Sequence, residues 1–256
     1  MNIAYSITGN FFRELSVSIQ SLSQNNDTSK INLYVLMDDA AFFHEWFPLF
    51  NDVINRANFK SCNLVKVSSY EFSDYPNLQS FSKGAYYRLL LPKLLSDCEK
   101  VIYLDADTIV KINLQELWDT LLLGHCCAGV IDTNISINPR YIKPLFNNSD
   151  GYINSGVLLL DLNNWRKSNI SLQIAECLKT EYQHIKYADQ DGINKICRGR
   201  IKLLPEKWNI QLFSESICPK NGVLHYCGLR PWPEKATKYL LKTFIKYQNQ
   251  TAFQFL

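Results

Sequence analysis

V-I-Y-L-D-A-D-T-I-V, from Val101 to Val110, sets two aspartates at the end of an apolar run. β-Branched and aromatic side chains suit a pleated, covered surface, so the run predicts a buried strand. Carboxylates in such a place need a reason, because an unpaired buried charge is costly. In extended backbone, residues i and i+2 point the same way. Asp105 and Asp107 would then aim two carboxylates at one point, as a divalent cation requires. The spacing alone says little, since Asp189 and Asp191 repeat it. Its position at a strand end is what carries information.

Working outward, strands alternate with helices. Strands are predicted over Asn2–Thr8, Ile31–Met37, Cys62–Val67, Cys126–Ile131, Tyr152–Leu162, Ile201–Leu204 and Val223–Tyr226. Helices are predicted over Phe11–Leu22, Ala40–Ala57 (kinked or broken at Pro48), Gly84–Leu95, Leu114–Leu121, Ser168–Gln183 and Asp189–Cys197. Ser168 or Asn169 is the expected cap of the Ser168–Gln183 helix. Such alternation predicts an α/β fold with a mostly parallel sheet covered on both faces. Sheets of this kind bind ligands at the C-terminal ends of their strands. Asp38, Asp105, Asp132 and Asn154 fall at or near predicted strand ends. The segment from Asn134 to Ser149 is polar and holds two prolines, which predicts an exposed loop.

The totals exclude several classes. The chain has 256 residues, 46% hydrophobic and 20% charged, enough to bury a sizeable core. A net charge of +3 gives no argument for nucleic acid. No apolar run is long enough to span a bilayer, and the N-terminus lacks the basic start of a secretory signal. Eight cysteines without a C-x-x-C pair read as reduced core thiols rather than disulfides or a zinc site. Near the C-terminus, Lys235, Lys238, Lys242 and Lys246 alternate with Tyr239, Leu240, Leu241, Phe244, Ile245 and Tyr247. This is a basic amphipathic helix, fit either for an anionic membrane surface or for packing one face on the core.

Four further stretches look chemical. Asn154, Ser155 and Gly156 open a strand with small polar residues, where backbone can approach a ligand or form a bulge. Asp189, Gln190 and Asp191 open a helix, as sugar-binding groups or as first-turn acids. His225, Gly228 and Arg230 lie in H-Y-C-G-L-R-P-W, which offers an imidazole, a close backbone approach and a bidentate cation. Arg88 is a cation in an apolar stretch and needs either a ligand or a core carboxylate as partner. Together they suggest a divalent metal held by Asp105, Asp107 and His225, clamping a diphosphate. The imidazole favours Mn²⁺ over Mg²⁺.

The ordered set V-I-Y-L-D-A-D-T-I-V, Y-I-N-S-G-V-L-L-L-D-L-N-N-W, A-D-Q-D-G and H-Y-C-G-L-R-P-W resembles glycosyltransferase family 8. The likeness runs from Asn2 to Trp232 and is greatest to bacterial lipopolysaccharide galactosyl- and glucosyltransferases. It implies a GT-A fold over residues 1–232, followed by the basic helix over 233–256. It implies Mn²⁺-dependent transfer (with Mg²⁺ as the alternative) of galactose or glucose from a UDP-hexose, with retention, to a saccharide acceptor, free, lipid-linked or protein-linked. Asp105, Asp107 and His225 take the metal-binding roles. Thr8, Asn10, Arg88, Ala106, Asn154, Ser155, Gly156, Gly228 and Arg230 take donor-binding roles together with Asp105. Asp189, Gln190 and Asp191 line the reactive side of the sugar, and Asp132 the acceptor side. Thr8 stands where relatives often carry an acid, and Arg230 follows Gly228 by two positions in a shortened loop. The implied setting is cytoplasmic, with peripheral attachment to the inner membrane face through the basic helix. A metal-dependent nucleotidyltransferase and a sugar-nucleotide-binding protein without turnover are the rival readings. The first is disfavoured by an N-terminal S-I-T-G-N-F-F without lysine.

Overall fold

The computed structural model describes residues 1–9, 11–78, 82–135, 138, 141, 151–213, 220–227 and 238–254. Its strands are β1 (Asn2–Ile7), β2 (Asn32–Met37), β3 (Ser61–Lys66), β4 (Lys100–Leu104), β5 (Thr108–Val110), β6 (Cys127–Ile131), β7 (Ile153–Asp161), β8 (Ile201–Leu203), β9 (Ile210–Gln211) and β10 (Val223–His225). Among the described residues, seven strands join in the order β3-β2-β1-β4-β7-β6-β8, and β5-β10-β9 form a second, small sheet. In the large sheet only β7 runs against its neighbours β4 and β6. The expected mostly parallel sheet, with helices on both faces, is therefore present.

Strand alternation builds two cores from one sheet. Val101 and Tyr103 of β4 face one side, and Ile102 and Leu104 the other. Leu158 and Leu160 of β7 oppose Val157 and Leu159 in the same way. Strands buried on both faces read as continuous apolar runs, which is why both were visible in the sequence. Helices α1 (Phe12–Asn25), α2 (Asp39–Phe42) and α3 (Phe47–Ala57) come first in the chain. They are followed by α4 (Gly84–Tyr87), α5 (Leu91–Leu94), α6 (Gln115–Trp118) and α7 (Leu162–Lys167), then α8 (Ile170–Thr180), α9 (Ala188–Ile196) and α10 (Lys238–Gln248). α1 and α3 contribute to one core, α7, α8 and α9 to the other.

Two expectations need correction, the single strand over Val101–Val110 and the single helix over Gly84–Leu95; the break at Pro48 and the cap position at Asn169 are as expected. Val101–Val110 is not one strand: Asp105-Ala106-Asp107 is a turn, closed where Thr108 N and Oγ1 donate to Asp105 O at 3.2 and 2.8 Å. The Ala40–Ala57 helix is two pieces. Asp38 caps the first through Ala41 N at 2.9 Å, and Pro48 sits in the first turn of the second, where a missing N–H costs nothing. Gly84–Leu95 is also broken, with a 3₁₀ turn over Arg88–Leu90. Pro92 explains it, since its ring would clash with the carbonyl four residues back, that of Arg88. Asn169 is the cap residue, though its side chain makes no capping hydrogen bond. It turns the corner between α7 and α8 at φ 50°, a left-handed conformation that asparagine tolerates.

Candidate active site

Tracing the turn at Asp105 shows how distant residues meet. β4 ends at Leu104, and β5 leaves the large sheet to pair antiparallel with β10, Thr108 opposite His225. Tyr226 N donates to Asp107 O at 3.1 Å and locks that crossing. His225 Nε2 thereby lies 3.3 Å from Asp107 Oδ1 and 3.7 Å from Asp105 Oδ2. Because β7 is antiparallel, its beginning, Asn154–Gly156, sits at the same edge as the end of β4, and Gly156 O accepts from Asp105 N at 2.8 Å. A cleft of about 720 Å³ opens there.

Arg88 organises the floor of this cleft. It is 3% exposed. Its Nε donates to Ala85 O at 3.0 Å, Nη1 to Ser155 O at 2.5 Å and Nη2 to Asp105 Oδ1 at 2.9 Å, while the guanidinium stacks 4.2 Å from the Tyr103 ring centre. Of the two sequence alternatives for Arg88, the core carboxylate is the one seen. Burial alone would lower the guanidinium pKa; Asp105 and then Asp189 reverse this and hold it above its usual value. Tyr103 OH also donates to Asp105 Oδ1 at 2.9 Å and pairs with Ser6 Oγ at 2.7 Å. One oxygen of Asp105 is thus held by the protein, and the other faces His225.

Asp189 behaves differently. Its Oδ2 is 3.0 Å from Arg88 Nε, but that N–H is spent on Ala85 O, so Oδ2 makes no hydrogen bond among the described residues. Burial raises its pKa to about 7, with Arg88 offsetting only part of the cost. Gln190 is spent at both ends. Its Oε1 accepts from Ser155 N at 2.9 Å, and its Nε2 donates to Asp132 Oδ2 at 3.1 Å and Tyr152 OH at 3.2 Å. Asp191 does not line the cleft. Fully buried, it accepts from Tyr141 OH, from Tyr152 OH at 2.6 Å, and from the N–H groups of Lys186 and Tyr187 at 2.9 Å. Those two amides pin the corner where Ala188 enters α9 at φ 48°, a conformation that costs an alanine about 1–2 kcal/mol.

Thr8, Arg88, Ala106, Asp132, Asn154, Ser155, Gly156, Asp189 and Gln190 all border the cleft with Asp105, Asp107 and His225. Asn10, Gly228 and Arg230 lie outside the described residues, as does most of the expected Asn134–Ser149 loop. Sequence reading missed Tyr103 and Asn209. Tyr103 was findable, two residues before Asp105 on the same strand. Asn209 carried no signal, being one polar residue between a 3₁₀ turn and a two-residue strand.

The donor set fits a divalent cation. One atom each from Asp105, Asp107 and His225 lie within 4.8 Å of one another. Gly156 leaves room for the imidazole, since a Cβ there would stand 2.1 Å from His225 Cε1. His225 Nδ1 is hydrogen-bonded to Asn209 Oδ1 at 3.0 Å, the outer support that ligating histidines generally have.

An open, mostly parallel α/β sheet with a carboxylate pair, a distant histidine and a cleft at its strand ends is the architecture expected of a GT-A glycosyltransferase. The comparisons agree. The family model "Glycosyl transferase family 8" matches residues 2–236, and the chain belongs to that family. A Haemophilus influenzae relative described as a glycosyltransferase is 31% identical over 94% of this chain and 75% of its own length. Lipopolysaccharide 1,2-glucosyltransferase of Escherichia coli K12 is 26% identical over 96% of this chain and 76% of its own. The crystal structure of galactosyltransferase LgtC with donor and acceptor sugar analogues superposes with a TM-score of 0.85 at 25% identity, covering 98% of this chain and 96% of the other.

Proposed function

We propose that the chain is a retaining hexosyltransferase moving galactose or glucose from a UDP-sugar to a saccharide acceptor of a cell-surface glycan. The observation that carries this reading is the pairing, in one cleft, of the Asp105–Asp107–His225 donor set with the buried Asp189 oxygen, which is ion-paired to Arg88 but accepts no hydrogen bond among the described residues. The donor set would hold Mn²⁺, or Mg²⁺ in its place, which when bound supplies Lewis-acid neutralisation of charge on the leaving diphosphate. Asp189 Oδ2 is an acceptor for a donor-sugar hydroxyl, and Arg88 adds fixed positive charge beside it. Thr8, at the end of β1, faces the cleft as an acceptor for a uracil N–H. Asp132, with Asn134 and Gln211 beside it, borders the acceptor side.

Same-face attack accounts for retention without Gln190 or Asp191 as the nucleophile. Gln190 is a neutral amide with both ends bonded, and the carboxylate of Asp191 is wrapped by four donors away from the cleft. Neither is a free nucleophile. The seven described cysteines are all unpaired, which supports a reducing, cytoplasmic setting. Among the described residues no helix is long and apolar enough to cross a membrane. Peripheral attachment is assigned to α10, whose Lys242 and Lys246 are exposed while Phe244 and Tyr247 pack inward. Failure to co-sediment with anionic vesicles at low salt would remove that part.

The central test is UDP release with Mn²⁺ and a panel of UDP-hexoses. One sugar should be turned over, and Asp105→Asn should lower the rate at least about a hundredfold, as expected for losing several kcal/mol of charge stabilisation. Full turnover by Asp105→Asn would sink the metal role, and no release from any UDP-hexose would sink the activity.

A further inference from the structure

Asn209 is completely buried and belongs to none of the motifs that mark the site. Its surroundings form a chain of hydrogen bonds whose polarity follows from one end to His225, which also hydrogen-bonds the Cys227 thiol. The chain starts at a backbone group whose polarity is fixed by covalent structure. Gly156 N can only donate, and it donates to Asn154 at 2.9 Å, so the atom it meets is Oδ1. The other end of Asn154 must then be Nδ2, and it meets an acceptor, Asp132 Oδ2, at 3.0 Å. Asn209 also approaches Asn154 Oδ1, at 2.9 Å, and an oxygen there demands a donor. The facing atom of Asn209 is therefore Nδ2. Its remaining polar atom, Oδ1, points at His225 Nδ1 at 3.0 Å and can only accept. Nδ1 must carry the proton. In the neutral ring that metal ligation requires, the lone pair then falls on Nε2, the atom facing Asp105 and Asp107.

We propose that Asn209 is a positioning residue that holds His225 in the Nδ1–H tautomer, presenting Nε2 to a divalent cation. The relay from the Gly156 N–H through Asn154 and Asn209 is what imposes the orientation. This rests on reading Asp105, Asp107 and His225 as the metal ligands. Outer-sphere partners of this kind typically change metal affinity by about 10- to 100-fold. A packing role for Asn209 would give no such selectivity, because it would act on the fold and not through the imidazole.

The test measures Mn²⁺ affinity of the full chain by the electron paramagnetic resonance signal of the free ion. The proteins are wild type, Asn209→Ala, Asn209→Asp, His225→Ala and the Asn209→Ala/His225→Ala double variant. Asn209→Ala should weaken binding about 10- to 100-fold. Asn209→Asp keeps an oxygen for the imidazole and should recover most of the loss. In the His225→Ala background the Asn209→Ala change should have no further effect, since residues acting through one another are not additive. Wild-type affinity in Asn209→Ala, or losses that multiply in the double variant, would overturn the proposal. If Asn209→Ala does not fold, Asn209→Leu, close in size and lacking the acceptor, takes its place in the same cycle. A separate measurement needs no variant. With Zn²⁺ as a diamagnetic probe, long-range proton–nitrogen spectra should show His225 protonated at Nδ1 and bare at Nε2, and the reverse would overturn the assignment. Unchanged Mn²⁺ binding in His225→Ala would instead remove the metal reading itself, a result distinguishable from failure of the Asn209 relay.

Discussion

At the scale of single residues, the site is a set of acids kept in different states by different neighbours. Asp105 shares Arg88 and Tyr103. Asp191 is saturated by phenols and amides. Asp189 is buried beside a cation whose hydrogen bonds go elsewhere, and so its pKa rises from 3.8 to about 7. The sign of the pH effect follows. The folded state holds the proton over a range where the unfolded chain has lost it. The contribution to stability is complete below about 3.8 and is lost as pH climbs through about 7. Asp189→Asn should abolish this slope. Denaturant unfolding of metal-free protein should show the wild type losing stability relative to Asp189→Asn between pH 4 and pH 7, by up to about 1.4 kcal/mol per pH unit. Parallel curves for the two proteins would show that Asp189 is ionised throughout. The four motifs made these acids candidates, but their states were not legible. Protonation depends on who else uses Arg88, and that is a property of packing.

At the scale of elements, what was legible followed from periodicity, and what was not followed from long-range pairing. β4 and β7 are buried on both faces and announced themselves as apolar runs. The split of Val101–Val110 did not. Both halves have β-forming residues, and only the ladder of β5 with β10 shows that the second half belongs to another sheet. β9, two residues long, exists because it pairs with β10 and has no local signature. The break at Arg88 was readable in principle from Pro92. Arg88, the first residue of the 3₁₀ turn, reaches Ser155 O and Asp105. The tail helix shows the same limit. Its alternation of lysines and apolar residues suited two environments equally. The structure shows Phe244 and Tyr247 packed with Val17 of α1 and with Leu224 and Tyr226, the neighbours of His225. α10 therefore backs the strand that delivers the histidine.

At the scale of the molecule, the cleft is a junction between two sheets. Ser6 of β1 and Thr8 just after it, Arg88 from the broken helix, the Asp105 turn, Asn154–Gly156 and Asp189–Gln190 come to one side of it. Asp107 and His225 come from where the small sheet begins. These groups come from well-separated segments of the chain, so closing the site depends on the whole topology. A ligand that spans the junction binds the folded chain and not the unfolded one. It must stabilise the fold, by about 2.7 kcal/mol at a hundredfold excess over its dissociation constant. For a chain of this length that corresponds to roughly 5–10 °C in melting temperature. Because the proposed diphosphate and cation touch each other as well as the protein, each should tighten the other, and by linkage the effect is reciprocal. Melting curves with Mn²⁺, with UDP and with both should show a joint shift larger than the sum of the separate ones. Asp105→Asn should keep any shift from UDP alone and lose the excess. A strictly additive pair of shifts in the wild type would mean that cation and nucleotide do not meet at this junction, and the reading of Asp105, Asp107 and His225 as the clamp on a diphosphate would fall with it.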